Sequence, residues 1–210
     1  MARQTRQRIL DASLAMFNAQ GEPNVTTNHI ADELEISPGN LYYHFRSKDD
    51  IVEQLFGAYE ARIDEALLLP SMRRANIEDL WLQLHLLLEA IGQYRFLHRD
   101  LVDILSRNRR MRTRFTRLLD RATASARTLL RQFVADGILQ LGAAELDVLV
   151  ENALALITFW VGYDSVRHNH YDGSIGDPRA GMRRIIALLA PHLAAAERAH
   201  LAALATAYAD

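Results

Sequence analysis

Apolar residues recur at three- and four-residue spacing along nearly the whole chain, the period of helices with one buried face. The first such stretch, residues 3–19, carries Ile9, Leu10, Leu14 and Phe17 in one stripe, and Gly21 and Pro23 stop it. Two short helices follow between Val25 and Phe45, and a longer one runs from Ser47 to about Leu69 with Ile51, Leu55, Tyr59, Ile63 and Leu67 inward. Pro70-Ser71 breaks it. Further helices are predicted over 77–94, around 100–105, over 109–136 up to Gly137, and over 143–168. The last runs over 179–208, where Pro191 predicts a kink or a break. The prediction is an all-α protein of about nine helices.

Residues 25–51 read as two capped helices joined by a tight turn. Thr26 is an N-cap, and Val25 and Ile30 stand at the positions of a hydrophobic staple. Ser37 is a second N-cap with Pro38 at the first helical position, where its fixed φ suits the helix. Leu41 and Phe45 are four apart and inward. Asn40, Tyr42, Tyr43 and His44 are left on the other faces, and no acid occurs from Ser37 to Lys48. An ordinary solvated helix face carries Glu and Lys. A face of amide, phenol and imidazole groups instead suits DNA, with the second helix entering the major groove. Ser47 and Asp50 then have the spacing of a capping box. Lys48 and the free N–H groups beside it are placed to hold a phosphate.

The pattern Thr26-Thr27-x-x-Ile30-Ala31, with Ile36-Ser37-x-Gly39-x-Leu41-Tyr42-Tyr43-His44-Phe45-x-Ser47-Lys48-x-x-Ile51, closely resembles the N-terminal signature of TetR-family transcriptional regulators. The resemblance covers roughly residues 5–55. It implies a DNA-binding domain over 1–47, a connecting helix over 48–69 and a helical ligand-binding and dimerisation domain over 70–210. Carried onto this sequence, the DNA-contacting residues are Thr26, Thr27, Asn28, Ser37, Gly39, Asn40, Tyr42, Tyr43, His44 and Lys48. It further implies a homodimer through the last two helices, a double-stranded DNA operator and a small-molecule effector. Asn40 and Ser37 stand at the variable recognition positions, so the operator sequence does not follow from the family.

The formal charge of −2 argues against a protein that coats DNA, but not against a local cationic footprint. Arg3, Arg6 and Arg8 precede the first acid, Asp11, and Lys48 is the only lysine. The arginines of 107–117 alternate with Met111 and Phe115, which reads as a helix exterior rather than a second nucleic-acid patch. Cysteine is absent, which excludes disulfides and thiolate metal sites. Residues 1–20 are amphipathic rather than leader-like, and the most apolar run, Val148 to Val161, is too short to span a membrane. A cytoplasmic location is the expectation.

No catalytic constellation, phosphate loop or zinc motif occurs, so neither an enzyme nor a cofactor is expected. His168, His170 and His192 have no shared helical face, and no metal site is expected from them. The later helices are rich in aromatic and apolar residues with a few polar groups, the content of a ligand pocket and equally of a core. Trp81, His85, Phe115, Asn152 and Trp160 are the candidates, with His85 and Asn152 as orienting groups for a hydrophobic ligand. The function these readings support is a homodimeric, ligand-responsive repressor. The alternatives are a ligand-independent dimeric DNA-binding protein and, further off, a helical enzyme.

Overall fold

The structure, a computed structural model, describes residues 2–168 and 178–207. Eleven α-helices follow one another: α1 Ala2–Gln20, α2 Thr27–Glu33, α3 Pro38–His44, α4 Lys48–Ala66, α5 Ile77–Gln93, α6 Arg95–Arg99, α7 Leu101–Arg107, α8 Arg109–Ala135, α9 Ala143–His168, α10 Pro178–Leu189 and α11 Ala195–Ala207. Single 3-10 turns lie at Glu22–Asn24 and Ala190–His192. The fold is all-α, as the periodicity predicts, with two helices more than expected. Tyr94, at φ −111° and ψ 37°, leaves the helical region, so Arg95–Arg99 forms a separate turn of helix. Pro191 has no N–H to continue the final helix, which divides into α10 and α11.

Five helices begin on the same local device. The side chains of Thr26, Ser37, Ser47, Asn76 and Asn108 each accept a hydrogen bond from the backbone N–H three residues on, at 3.0–3.2 Å. Each such cap contributes about 1 kcal/mol. Gly21 takes φ 89°, a conformation that suits glycine, and so turns the chain from α1 into the 3-10 turn with Glu22 facing inward.

One apolar cluster begins in the head, with Ile9, Phe17, Ile30, Leu41 and Phe45, and continues through α4 to Ile91, Phe96, Phe115 and Trp160. The expected boundary at 47/48 therefore falls inside a continuous core. A second cluster joins Trp81, Leu129, Phe133, Val150, Ile185 and Leu201 at the far end. There an isolated antiparallel bridge between Leu139 and Leu193 ties the α8–α9 connection to the α10–α11 connection. Gly181 of α10 lies so close to Leu88 and Trp160 that a Cβ would come within 3.1 Å of each.

Three arginines of α8 have partners on α4. Arg110 pairs with Glu53 at 3.1 Å, Arg114 with Glu60 at 2.7 Å, and Arg121 with both Glu60 and Asp64 at 3.0 and 2.8 Å. Partly exposed pairs of this kind contribute about 0–1 kcal/mol each, so they orient α8 on α4 more than they stabilise it.

Candidate nucleic-acid interface and enclosed cavity

The turn between α2 and α3 is closed by Ile36 N–H donating to Ala31 O at 3.0 Å, with Glu35 at φ 54°. Leu41 and Phe45 bury the inner side of α3. Ser37, Gly39, Asn40, Tyr42 and Tyr43 are exposed, and His44 is half-buried. Tyr43 is 79% exposed, an unusual position for a ring with no function on the surface, and His44 meets it edge-on at 5.1 Å. Tyr42 is less free, because its hydroxyl hydrogen-bonds Thr27 Oγ1 at 3.0 Å and so fixes α3 against α2. Thr26 and Asn28 are exposed beside it. Arg6 lies over the Phe45 ring at 4.7 Å, which holds the end of α1 near α3, and Arg3 and Arg8 are exposed.

Lys48 is placed differently from the expectation. Its ammonium donates to Glu22 O at 2.9 Å and sits 3.0 Å from Glu22 Oε1, turned into the protein. Arg107 reaches the other carboxylate oxygen of Glu22, and Glu22 N–H donates to Asp100 Oδ2 at 2.8 Å. The first turn of α4 also offers less to a phosphate than the sequence suggests, since it carries Asp49 and Asp50. Asp50 Oδ2 takes the Arg46 N–H at 3.0 Å. The head is fastened again by α6: Arg99 donates to Phe17 O at 2.6 Å, and the Asn18 side chain bridges Gln93 O and Phe96 N–H at 2.8 and 3.1 Å.

A cavity of ≈ 90 Å³ lies between α4, α5, α6, α8, α9 and α10. Tyr59 and Ile63 of α4, with Leu67 at its C-cap, form one wall, and Phe115 of α8 also lines the cavity. Of the five ligand residues expected from the sequence, Phe115 alone reaches it. His85 is exposed and stacked on Trp81 at 5.0 Å, and Trp81 belongs to the second core. Asn152 opens onto an outer groove beside Val148 and His192. Trp160 packs on Gly181. The periodicity of α5 and α9 identifies apolar faces but not which face meets a void, and the other four residues lie off this cavity. The polar groups on the cavity wall are Tyr59, Gln83, His98 and Thr158. In the stretch Tyr94–Leu101 His98 directly follows Phe96 and Leu97 but is flanked by Arg95, Arg99 and Asp100, so the sequence offers little signal for it.

His98 Nδ1 is 2.9 Å from Thr158 O, and Nε2 is 2.8 Å from Tyr59 Oη. A carbonyl can only accept, so Nδ1 carries the proton, Nε2 accepts, and the Tyr59 hydroxyl donates. Burial lowers the His98 pKa to about 4 against the opposing effect of the Thr158 bond, and pushes the Tyr59 hydroxyl well above its ordinary value. Both are neutral at pH 7. The unfolded chain binds this proton at about 6.5 and the folded one only near 4. Stability from this site is therefore complete above pH 6.5 and is lost as pH falls toward 4, by about 3 kcal/mol. Urea titrations at pH 7.0 and 4.5 are expected to show a smaller pH-dependent loss in His98→Gln than in the wild type.

The architecture and the exposed α3 surface define a helix-turn-helix DNA-binding protein. Residues 9–55 match the family model described as bacterial regulatory proteins of the tetR family, and residues 58–201 match the one described as bacterial transcriptional repressor. The chain belongs to the TetR family of bacterial transcriptional regulators. A TetR-family regulator from Marinobacter aquaeolei superposes with a TM-score of 0.85 at 34% identity, over 97% of this chain and 98% of that one. The uncharacterised HTH-type regulator TtgW of Pseudomonas putida is 39% identical over 57 residues, 27% of this chain and 42% of that protein. AcrR of Shigella flexneri is 34% identical over 64 residues, 30% of each. Those two matches thus span less than half of each curated relative. Regulators of this kind are not enzymes, and no helix among the described residues is long and apolar enough to cross a membrane.

Proposed function

We propose that this protein is a homodimeric repressor that releases its operator when a small, mostly hydrophobic effector enters the cavity. The observation that carries this reading is the double use of α4. Its first turns, with Ile51, Val52 and Phe56, are core residues of the reading head, while Tyr59, Ile63 and Leu67 line the cavity. A 19-residue helix is a rigid rod about 28 Å long, so a shift at Ile63 is felt beside α3. The effector acts only through higher affinity for the DNA-incompetent arrangement.

In this reading Ser37, Gly39, Asn40, Tyr43 and His44 approach bases and phosphates. Thr26, Thr27, Asn28 and Tyr42 position the head, and Lys48 anchors α4 to Glu22. Two copies are needed, because one α3 reads only a few base pairs and paired heads fall on half-sites ~34 Å apart. The surface that supports pairing is on α9. Val148, Ala155, Phe159, Tyr163 and Val166 share one exposed stripe beside α10, with open space over Gly162. α10 packs along α9 beside this stripe, so of the last helices α9 and α10 are assigned to the partner.

Fluorescence anisotropy with DNA from upstream of the protein's own gene tests the reading. Tyr43→Ala is expected to weaken binding by roughly tenfold or more, the worth of one good groove contact, with no loss of thermal stability. If Tyr43→Ala and Asn40→Ala both bind like the wild type across a salt series, α3 is not the reading helix.

A further inference from the structure

We propose that the cavity takes a neutral, slender apolar molecule carrying one hydroxyl group, which donates to Tyr59 Oη and accepts from Thr158 Oγ1. This rests on the reading of the cavity as the effector site and specifies its chemistry.

The wall contains no lysine, arginine, aspartate or glutamate. A carboxylate or ammonium group would lose its water there and find no opposite charge, so charged ligands are excluded on energetic grounds. The hydrogen-bonding inventory then decides what the polar end accepts. Both ring nitrogens of His98 are occupied, by Thr158 O and by Tyr59 Oη. The Tyr59 proton is committed to His98, which leaves its oxygen as an acceptor only. Thr158 contributes the complementary half. Thr113, Thr116, Thr123 and Thr128 of α8 each donate their hydroxyl to the carbonyl four residues back, at 2.8–3.1 Å. The Thr158 hydroxyl makes no such bond and has no partner among the described residues, although the residue is buried and lines the cavity. Its proton is therefore free for a ligand. The His98 ring bonds both Tyr59 Oη and the Thr158 carbonyl, so the two residues that carry the free acceptor and the free donor lie at the same end of the void. A hydroxyl group both donates and accepts, and it satisfies both.

Size narrows the ligand further. On the measure by which one water needs about 10–15 Å³, the cavity has room for roughly six to nine water-sized centres. The wall from Tyr59 to Leu67, the residue that caps α4, extends about 12 Å at the rise of a helix. At the far end Gln83 gives its amide N–H to Ser125 Oγ at 3.4 Å, among Leu80, Leu129 and Leu130. An alcohol or phenol with a chain of roughly eight heavy atoms fits this outline.

Calorimetric titration of the full chain at pH 7.5 tests the chemistry with five probes: 1-octanol, its isomer 1-methoxyheptane, 1-chlorooctane, octanoate and octylammonium. The expected order is octanol, then the ether at roughly fivefold weaker, then the chloride, with neither ion detectable. Thr158→Val keeps the carbonyl that holds His98 and is nearly isosteric. It is expected to weaken octanol and ether by roughly fivefold and to leave the chloride unchanged. Equal binding of octanol and chloride, or tighter binding of either ion, overturns the hydroxyl assignment while the cavity remains an effector site. Binding of none of the three neutral probes overturns both.

Discussion

Replacing Phe159 with aspartate is expected to convert the protein into a monomer and to weaken its hold on operator DNA by roughly 10²–10⁴-fold. Phe159 is 53% exposed at the middle of the α9 stripe, and Val166, further along, is 73% exposed. From Val148 to Val166 the stripe is about 27 Å long. An apolar surface of that length on one helix marks an association site. A two-fold axis would place each Phe159 near the axis and so bury two new carboxylates beside each other against apolar surface. The operator effect follows from effective concentration. Once one head is bound, its tethered partner meets the second half-site as an intramolecular event, and that advantage disappears in a monomer. Sedimentation velocity reads the first outcome and anisotropy the second. A variant that still sediments as a dimer places the interface elsewhere. Because the side chain makes little of the monomer's core, the isolated fold should survive.

Glu22→Ala is expected to cost about 3–5 kcal/mol of unfolding free energy, toward the lower end because Arg107 is a third exposed. The Glu22 side chain is fully buried and is shared by Lys48 of α4 and Arg107 of α7. Its removal leaves Lys48 without its carboxylate in a partly desolvated joint, while Arg107 keeps Asp103 at 3.0 Å. The same joint fixes the head to the body, since Asp100 and Arg99 hold the backbone of Glu22, Asn18 and Phe17. Chemical denaturation of Glu22→Ala, and of the triple variant Glu22→Ala, Lys48→Ala, Arg107→Ala, separates the two contributions. The triple variant should recover part of the loss, because the carboxylates it leaves without Arg107, Asp103 and Asp49, are exposed to water. A loss under about 1 kcal/mol for Glu22→Ala would mean a weak, solvated pair. Lys48 would then be available to DNA phosphate, as the sequence alone suggests.

The reading head was legible because its signals are local. Thr26, Ser37 and Ser47 cap helices through bonds that span three residues, and Leu41 and Phe45 are paired by helical spacing alone. The exposed Asn40 and Tyr43 follow from the same spacing by elimination. Lys48 shows where this reasoning stops. Its neighbours in sequence point to the α4 N-terminus, whereas its partners in space are Glu22, 26 residues away, and through it Arg107. The arginines of α8 divide in the same manner. Helical spacing identifies a charged exterior, and only the packing of α8 on α4 supplies Glu53, Glu60 and Asp64 as partners.

By itself the sequence determined an all-α regulator with a helix-turn-helix near its start, since period, caps and turn residues act over one or two turns of chain. The tertiary structure alone decided what the body can hold. The cavity is walled by residues from Tyr59 to Leu189, each an ordinary core residue in its own helix. Which of them face a void, and that Tyr59, His98 and Thr158 meet at one end of it, depends on how six helices pack. That is a sum of many weak long-range contacts, which no short window of sequence encodes.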